Sequence, residues 1–281
     1  MTSVGTLFAS EHDPRLVQLE HRLRGFYASC QSYDAFKTVN SKPEFWAPIR
    51  ANIAQMAARG QCRVLEVGAG RTGFAAYLGE ELRGRVFFAV QDVVDRNAEH
   101  LFAVADRVYI GEITRISERY DVIFGTFMFE HLTRPKATLR HLLTILRPGG
   151  SVFLACPRYD FPFYISPTAR HLSRVRQLVI AAWLVLERLR VLGGGQPRFL
   201  IHLDPAIFHK QWFRDADAVH WVSLWDLKQL LRNDAVVQRL QLGGRGLRHH
   251  FWARFLLMFV QIQPRRRSLH PSEAEISSDP R

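Results

Sequence analysis

The chain has few cysteines and no hydrophobic run long enough to cross a membrane. Its three cysteines, Cys30, Cys62 and Cys156, are scattered and do not show the spacing of a metal site. The longest apolar runs, Leu178–Leu186 and Phe255–Val260, are far shorter than the roughly 20 residues of a transmembrane helix. No basic segment followed by an apolar one marks the N-terminus. These absences predict a reduced, cytoplasmic protein.

Acidic residues are scarce relative to basic ones. The 281 residues include 38 Lys and Arg, of which 33 are Arg, against 26 Asp and Glu, for a net charge of +12. Residues 151–263 alone carry 15 basic and 7 acidic residues. This balance suits an anionic substrate, a polyanion or an anionic membrane surface, and a GC-rich coding sequence would also produce an excess of arginine. Composition does not choose among these.

The middle of the chain alternates short apolar runs with helical patterns, which predicts βαβ units and a mostly parallel sheet with helices on both faces. The predicted strands are Arg63–Val67, Arg85–Val90, Arg107–Ile110, Asp121–Gly125 and Ser151–Ala155. Between them, Phe74–Leu82 and Pro135–Leu146 are predicted helices. The fold class is therefore α/β.

The remaining segments are predicted to extend this core. We divide the chain into a helical N-terminal extension (1–60), an α/β core (61–157), a helical insertion after the fifth strand (158–218), a return to the core (219–263) and a disordered tail (264–281). The insertion holds a basic amphipathic helix near His171–Leu192 and is expected to cover the substrate side. After it, we predict a strand at Val219–Val222 and a helix capped by Ser223.

A glycine-rich turn, Gly68-Ala69-Gly70-Arg71-Thr72-Gly73, follows a buried strand and precedes a helix. Such a turn lets the backbone approach a nucleotide closely. Its sequence also matches the G-x-G-x-x-G motif of dinucleotide-binding proteins, so an NAD(P)-dependent oxidoreductase is one alternative.

Two carboxylates lie near this turn, and one of them favours a different cofactor. Glu66 lies two positions before the first glycine. A carboxylate at this position would not help to bind the pyrophosphate of a dinucleotide, but it would attract a cationic cofactor. S-adenosylmethionine (SAM) carries a sulfonium and an ammonium group. Asp92 follows Gly70 by 22 positions, where a carboxylate accepts hydrogen bonds from ribose hydroxyls. Asp92 would serve either cofactor class, so the preference for SAM rests on Glu66.

With these residues the sequence resembles class I SAM-dependent methyltransferases, most closely the small-molecule group called type 11 or type 12. The resemblance covers residues 62–157 well and 219–262 loosely. It is carried by Val64–Gly73, Asp92, Gly111-Glu112, Tyr120–Ile123, Phe129–Leu132 and Leu146–Gly150. It implies a Rossmann-like fold and SAM as the cofactor.

The resemblance also implies roles for single residues. The cofactor-binding residues would be Glu66, Gly68, Ala69, Gly70, Asp92, Glu112 and Phe127. The glycine loop would form the wall against the methionine part, with Asp92 on the ribose and Glu112 beside the adenine. Phe127 would line the methyl-transfer cleft. Glu112 as a solvated loop residue and Phe127 as a core residue are the alternatives.

Glu130 and His131 raise the question of a metal. Some relatives that methylate catechol-like quinone precursors use this pair and a glutamate three residues earlier as metal ligands, but Phe127 occupies that earlier position here. Two ligands without a third make a weak site. We therefore predict no metal and a structural role for the pair at a helix start.

Methyl transfer is an in-line displacement that depends mainly on positioning, so a general base is optional. A hydroxyl acceptor would benefit from a histidine base. The second half of the chain supplies His171, His202, His209 and His220. His220 is the first candidate, because it precedes the late helix, and Tyr159 is the second, because it follows the fifth strand.

The sequence thus predicts a methyltransferase acting on a small-molecule, sugar or lipid-linked acceptor, with oxygen as the favoured acceptor atom and an anionic acceptor favoured by charge. The basic helix near His171–Leu192 resembles an interfacial helix, so peripheral contact with the inner membrane face is left open beside a lid or a dimer contact. Nucleic acid is not expected, because Gly125-Thr126-Phe127-Met128 replaces the Asn/Asp-Pro-Pro-aromatic motif of base methyltransferases. A non-catalytic scaffold is the other alternative.

Overall fold

The structure is a computed structural model that describes residues 4–29 and 37–265. Its strands are β1 (Phe8–Ala9), β2 (Cys62–Val67), β3 (Val86–Asp92), β4 (Arg107–Ile110), β5 (Tyr120–Thr126), β6 (Leu146–Pro157), β7 (Ile201–His202), β8 (Ala235–Arg239) and β9 (Leu257–Pro264). Its α-helices are α1 (Arg15–Ser29), α2 (Pro43–Ala57), α3 (Phe74–Leu78), α4 (Glu80–Arg83), α5 (Ala98–Val104), α6 (Pro135–Thr144), α7 (Arg174–Leu192), α8 (Leu224–Leu231) and α9 (Leu247–Phe251).

Seven strands form one sheet in the order β4-β3-β2-β5-β6-β9-β8. The strands from β4 to β6 pair in parallel, whereas β9 runs antiparallel to both of its neighbours. The five predicted strands correspond to β2 through β6, and β6 begins earlier than predicted, at Leu146. The predicted mostly parallel α/β sheet is confirmed.

Helices cover both faces of this sheet because its central strands are apolar on both sides. On one face, α2, α3 and α5 pack against side chains that include Val64, Phe88 and Phe124. On the other face, α6 and α8 pack against Leu65 and Ile123. The sheet is therefore buried on both faces, and its strand ends are the part left open for a ligand.

The N-terminal extension does not behave as one unit. Its helix α2 packs on the sheet, but β1 pairs antiparallel with β7, which lies in the insertion. Helix α1 buries leucines against insertion residues that include Ile207 and Ala216. We call residues 4–29 and 158–218 together the cap, since they share one hydrophobic cluster.

The predicted strand at Val219–Val222 is wrong. This buried segment makes only an isolated bridge, between His220 and Ile201. Its backbone partners lie on different elements: the His220 N–H donates to Glu130 O and the Trp221 N–H donates to Leu200 O. Because its backbone hydrogen bonds go to different elements, this segment does not pair continuously with one neighbouring strand.

Two other predictions concern the end of the chain. Ser223 caps α8 as predicted, because its Oγ accepts a hydrogen bond from the Asp226 N–H at 3.2 Å. Strand β9 includes Pro264, which the sequence pattern places in the tail. The rest of the predicted tail, from residue 266 onward, lies outside the described residues, as does Cys30.

Candidate active site

A cavity of about 1010 Å³ opens at the carboxyl ends of β2, β3 and β5. Ligands of open α/β sheets bind at this edge. Both parts of the cap contribute side chains to the cavity wall. These include Leu23, Arg24 and Tyr27 from α1, and Trp212, Arg214 and Asp215 from the insertion. The cap and the strand ends therefore enclose one space.

The glycine loop forms the wall of the cavity beside β2. Gly68 and Gly70 have φ angles of 62° and 56°, a left-handed conformation that favours glycine. A Cβ on Gly68 would lie 2.7 Å from the Cβ of Met128, so a side chain does not fit there. The predicted residues Gly68, Ala69 and Gly70 all line the cavity.

Asp92 fixes this loop from the end of β3. Its Oδ2 accepts a hydrogen bond from the Gly70 N–H at 2.8 Å, and its Oδ1 accepts one from the Val94 N–H at 3.3 Å. Burial raises the pKa of Asp92, and these backbone hydrogen bonds oppose the rise. Because each carboxylate oxygen has two acceptor positions, Asp92 retains capacity toward the cavity that it lines.

Glu66 is not part of the cavity wall. Its side chain is buried near the glycine loop, and burial raises its pKa to about 7, opposed by a hydrogen bond with Thr72 and by the charge of Lys42. Its Oε2 has no hydrogen-bond partner among the described residues. Direct contact between Glu66 and a ligand in the cavity is therefore not what this structure presents.

Phe127 lies at the end of β5 with a φ of 57°, which is rare for a residue with a side chain. Its N–H donates to Ala155 O at 2.7 Å, and its ring lines the cavity. Two cationic side chains flank the ring, with Lys42 Nζ 5.3 Å and Arg214 Cζ 5.8 Å from its centroid. Phe127 is thus at the cavity, as predicted, beside two cations that the sequence did not reveal.

Lys42 is held at the same strand end. Its Nζ donates to the backbone oxygen of Thr126 at 3.1 Å and to Thr126 Oγ1 at 3.2 Å. Burial lowers the pKa of Lys42, whereas the nearby carboxyl groups of Glu66 and Glu130 favour its charged form. The hydrogen bonds to Thr126 fix the direction of the ammonium group.

Glu112 lies at the edge of the cavity, where it forms an ion pair with Arg24 of α1 at 2.7 Å. Both side chains are about half exposed. An exposed pair of this kind adds little stability. It does connect the loop after β4 with the cap at the position predicted for the adenine.

His131 is the residue whose role the sequence did not reveal. It lines the cavity, and its Nδ1 lies 3.2 Å from Asp217 Oδ2, which also accepts a 2.8 Å hydrogen bond from Tyr27 Oη. Burial lowers the pKa of His131, but the carboxyl groups of Asp217, Glu130 and Asp215, with Asp217 first, together outweigh burial and raise the pKa to about 10. His131 is therefore an imidazolium at neutral pH. Glu130, in contrast, is buried and does not line the cavity.

The structure does not place the two predicted catalytic residues at the cavity, so this prediction is corrected. His220 and Tyr159 are each only 1% exposed, and neither lines the cavity. His220 packs between two phenylalanine rings, and its Nδ1 lies 3.0 Å from Phe129 O. Tyr159 stacks on Tyr164. The reason is that the segment around His220 runs between cap and core instead of along the cleft.

Burial lowers the pKa of His220 to about 3, below the ordinary value of 6.5. Its contribution to stability is therefore complete above pH 6.5 and is lost as the pH falls toward 3. We expect His220→Phe to cost about 1 kcal/mol at pH 7.5 through the lost hydrogen bond. Between pH 7.5 and 4.5, the variant should lose about 3 kcal/mol less stability than the parent chain.

Urea unfolding of both proteins at the two pH values measures this difference. A parallel pH dependence in parent and variant would show that His220 does not titrate in this range on unfolding.

Comparison with known families identifies the family to which this chain belongs. A family profile described as a methyltransferase domain matches residues 39–233, which is more than half of the chain. The chain belongs to this methyltransferase family. The match includes the glycine loop, Phe127 and His131, but not α1. Class I methyltransferases use SAM as the methyl donor, so family membership confirms the predicted cofactor.

Solved structures show the same fold for this methyltransferase. The plantazolicin methyltransferase BpumL, in complex with a triazolic desmethylPZN analog and SAH, is 12% identical with a TM-score of 0.52, covering 90% of this chain and 99% of that one. The 1,6-didemethyltoxoflavin-N1-methyltransferase of Burkholderia thailandensis is 16% identical with a TM-score of 0.52, covering 92% and 94%. No curated protein sequence matches the chain. The predicted class I fold is confirmed.

The residues at the cavity fit SAM. Asp92 offers carboxylate oxygens to ribose hydroxyls, and the loop at Gly68 and Gly70 brings backbone close to the ligand. Glu66 places an unpartnered carboxylate oxygen behind this loop, on the side where a cationic ligand gains from it.

Proposed function

We propose that this methyltransferase transfers the methyl group of SAM to an oxygen atom of a small, anionic acceptor. The observation that carries the proposal is the grouping of Lys42, Arg214 and His131 at the Phe127 side of the cavity. The carboxylate of Asp92 lies at the glycine loop instead, and Glu66 is buried between this loop and Lys42. Opposite charges at the two sides suit a cationic donor and an anionic acceptor.

Not every charge on the acceptor side is positive. Asp215 lines the cavity there, and burial raises its pKa, while His131 and Arg214 oppose the rise. Asp217 is paired with His131. Glu130 is a third carboxyl group near Lys42 and His131, but burial raises its pKa to about 7, so it is only partly charged at neutral pH. The three cations therefore face two carboxylates and one partly protonated carboxyl group.

SAM, when bound, supplies an electrophilic methyl group on its sulfonium. The residues of this chain hold the reactants: Asp92 binds the ribose, and Lys42, Arg214 and His131 orient the acceptor anion. An acceptor oxygen that is already ionised needs no general base, so His131 acts as a cation and not as a proton acceptor. Leu23, Arg24 and Tyr27 of α1 line this space and cover part of it, and the water that they exclude would otherwise weaken the charge interactions.

Calorimetric titration with S-adenosylhomocysteine, with NAD and NADP in parallel, tests the cofactor. We expect micromolar binding of S-adenosylhomocysteine alone. Binding of a nicotinamide cofactor would favour the oxidoreductase alternative, and binding of none would favour a scaffold.

A panel of acceptors then tests the substrate class, with release of S-adenosylhomocysteine as the readout. The panel pairs acidic phenols, carboxylic acids and sugar phosphates with neutral and amine analogues. Preferential turnover of the anions supports the proposal. Faster methylation of the amines would contradict it.

Helix α7 bears on whether the acceptor is lipid-linked. Residues of one of its faces are about half or more exposed although they are apolar, namely Val175, Leu178, Val179, Leu186, Leu189 and Leu192. Arg174 and Arg176 stand at the beginning of the same helix. Across the described residues, no helix combines the length and apolarity needed to span a bilayer. We propose that this face rests on an anionic membrane surface.

Co-sedimentation with vesicles of phosphatidylglycerol and phosphatidylcholine tests this contact. The chain should bind anionic vesicles, weakly at high salt, and Leu178→Glu should reduce binding about tenfold. Phe102→Glu, at an exposed site on α5, is the matched control. Self-association lost in Leu178→Glu, without vesicle binding by the parent, would identify a dimer contact instead. A cytoplasmic, membrane-peripheral location stays a prediction.

A further inference from the structure

Three side chains from separate parts of the cap meet outside the cavity wall. His171 precedes α7, Asp204 follows β7, and His209 follows a short 3₁₀ turn. One ligand atom of each lies within 4.8 Å of the others. Asp204 Oδ1 is 2.7 Å from His209 Nε2, and Asp204 Oδ2 is 3.4 Å from His171 Nε2. The two imidazole rings are parallel, with centroids 4.4 Å apart.

The two ring nitrogens of His171 differ in their hydrogen bonding. Its Nδ1 lies 3.0 Å from the backbone oxygen of Thr168, so this nitrogen carries the proton in the neutral ring. The Nε2 lone pair then faces the Asp204 carboxylate. This nitrogen is buried and has no hydrogen-bond partner among the described residues. Two electron-rich atoms that face each other at 3.4 Å repel each other unless a proton or a metal cation lies between them.

From this arrangement we propose that His171, Asp204 and His209 bind a divalent transition-metal ion. Two imidazoles and one carboxylate suit Zn²⁺ and its neighbours in the first transition row. Ligand atoms around tetrahedral zinc lie about 3.3 Å apart, close to the 3.4 Å between His171 Nε2 and Asp204 Oδ2. His209 Nε2 and Asp204 Oδ1 are joined by a 2.7 Å hydrogen bond, and an ion would replace its proton and move these two atoms apart. The backbone oxygen of Thr168 holds the His171 ring by its other nitrogen, as outer partners do in metal sites.

The ion is expected to be structural. The site joins the segment before α7 to residues 204–209, which continue directly to the cavity-lining residues Trp212 and Arg214. Asp204 and His209 are each about 40% exposed, so an ion can enter from solvent. A metal here would hold the insertion part of the cavity wall in place. It lies outside the cavity and takes no part in methyl transfer. The Glu130-His131 pair, the metal site considered from the sequence, is not involved.

The experiment uses the untagged full chain after treatment with a chelator. Calorimetric titration with Zn²⁺ should show one site of micromolar or higher affinity. His209→Ala and Asp204→Asn should each weaken it at least 30-fold. His12→Ala, at an exposed histidine outside the cluster, should leave it unchanged. Zn²⁺ should also raise the melting temperature of the parent chain and of His12→Ala, but not of the two cluster variants.

Titration with Co²⁺ gives a second readout, because its visible absorption reports the ligands directly. We expect a spectrum that is saturated at one equivalent and is lost in His209→Ala. Failure of the parent chain to bind either ion overturns the proposal. So does equal affinity in the parent and both cluster variants, which would place the ion at other histidines. Circular dichroism and S-adenosylhomocysteine binding establish that each variant is folded.

Discussion

Gly70→Asp is expected to reduce the affinity for S-adenosylhomocysteine at least 100-fold, about 2.7 kcal/mol, while the chain remains folded. A Cβ at this position meets only Asn40 Nδ2, at 3.7 Å, so the side chain has room. Aspartate also tolerates the left-handed conformation that Gly70 adopts at a φ of 56°. The new carboxylate would enter the ligand space beside Asp92, where it would block the nucleoside and repel the carboxylate that we propose binds the ribose.

The matched control is Gly149→Asp. Gly149 is exposed and has a φ of 81°, and a Cβ at this position would meet open space. It therefore shares the backbone cost of the substitution without touching the cavity. Calorimetry measures the dissociation constant and circular dichroism the fold. An unchanged dissociation constant in folded Gly70→Asp would remove the loop from the cofactor site.

Local patterns made the cofactor half predictable. The glycine loop, Asp92 and Phe127 each lie at the end of a strand, and the carboxyl ends of parallel strands meet at one edge of a sheet. Their positions therefore follow once the strands are known. Glu66 shows the limit of this reasoning, because its neighbours in space, Lys42 among them, bury it behind the loop.

The acceptor half was not predictable in the same way. His131 and His220 both follow the glycine loop in sequence, and periodicity gives no reason to prefer one. Only the packing of the cap shows that Tyr27 and Asp217, which are 190 positions apart, meet beside His131. Arg214 reaches Phe127 through the same packing. The motif around Glu130 and His131 marked the right place, but it did not distinguish a buried glutamate from a histidine at the cavity.

Asp217→Asn is expected to change the charge of His131 and thereby the binding of the acceptor. Burial alone lowers the pKa of His131, and the Asp217 carboxylate is the main group that raises it to about 10. With asparagine, this pKa should fall by about 3 units or more, because one unit corresponds to about 1.4 kcal/mol and a buried pair supplies several. At pH 8 the imidazole would be neutral, and we expect a KM for an anionic acceptor at least tenfold higher.

Tyr27→Phe is the matched control, because it removes the 2.8 Å hydrogen bond to Asp217 but keeps the charge pair. NMR titration of the imidazole should show a small change in this variant and a large one in Asp217→Asn. The dissociation constant for S-adenosylhomocysteine should remain unchanged in both. A lower kcat with an unchanged KM in Asp217→Asn would contradict the assignment of His131 to acceptor binding.

Stability provides an independent check of the same pair. The folded pKa of His131, about 10, lies above its ordinary value of 6.5. The contribution of the pair is therefore complete below pH 6.5 and is lost as the pH rises through 10. The parent chain should lose stability over this range, and Asp217→Asn should not. Since this readout needs no acceptor, it tests the charge of His131 even before a substrate is known, and the proposed anionic acceptor depends on that charge.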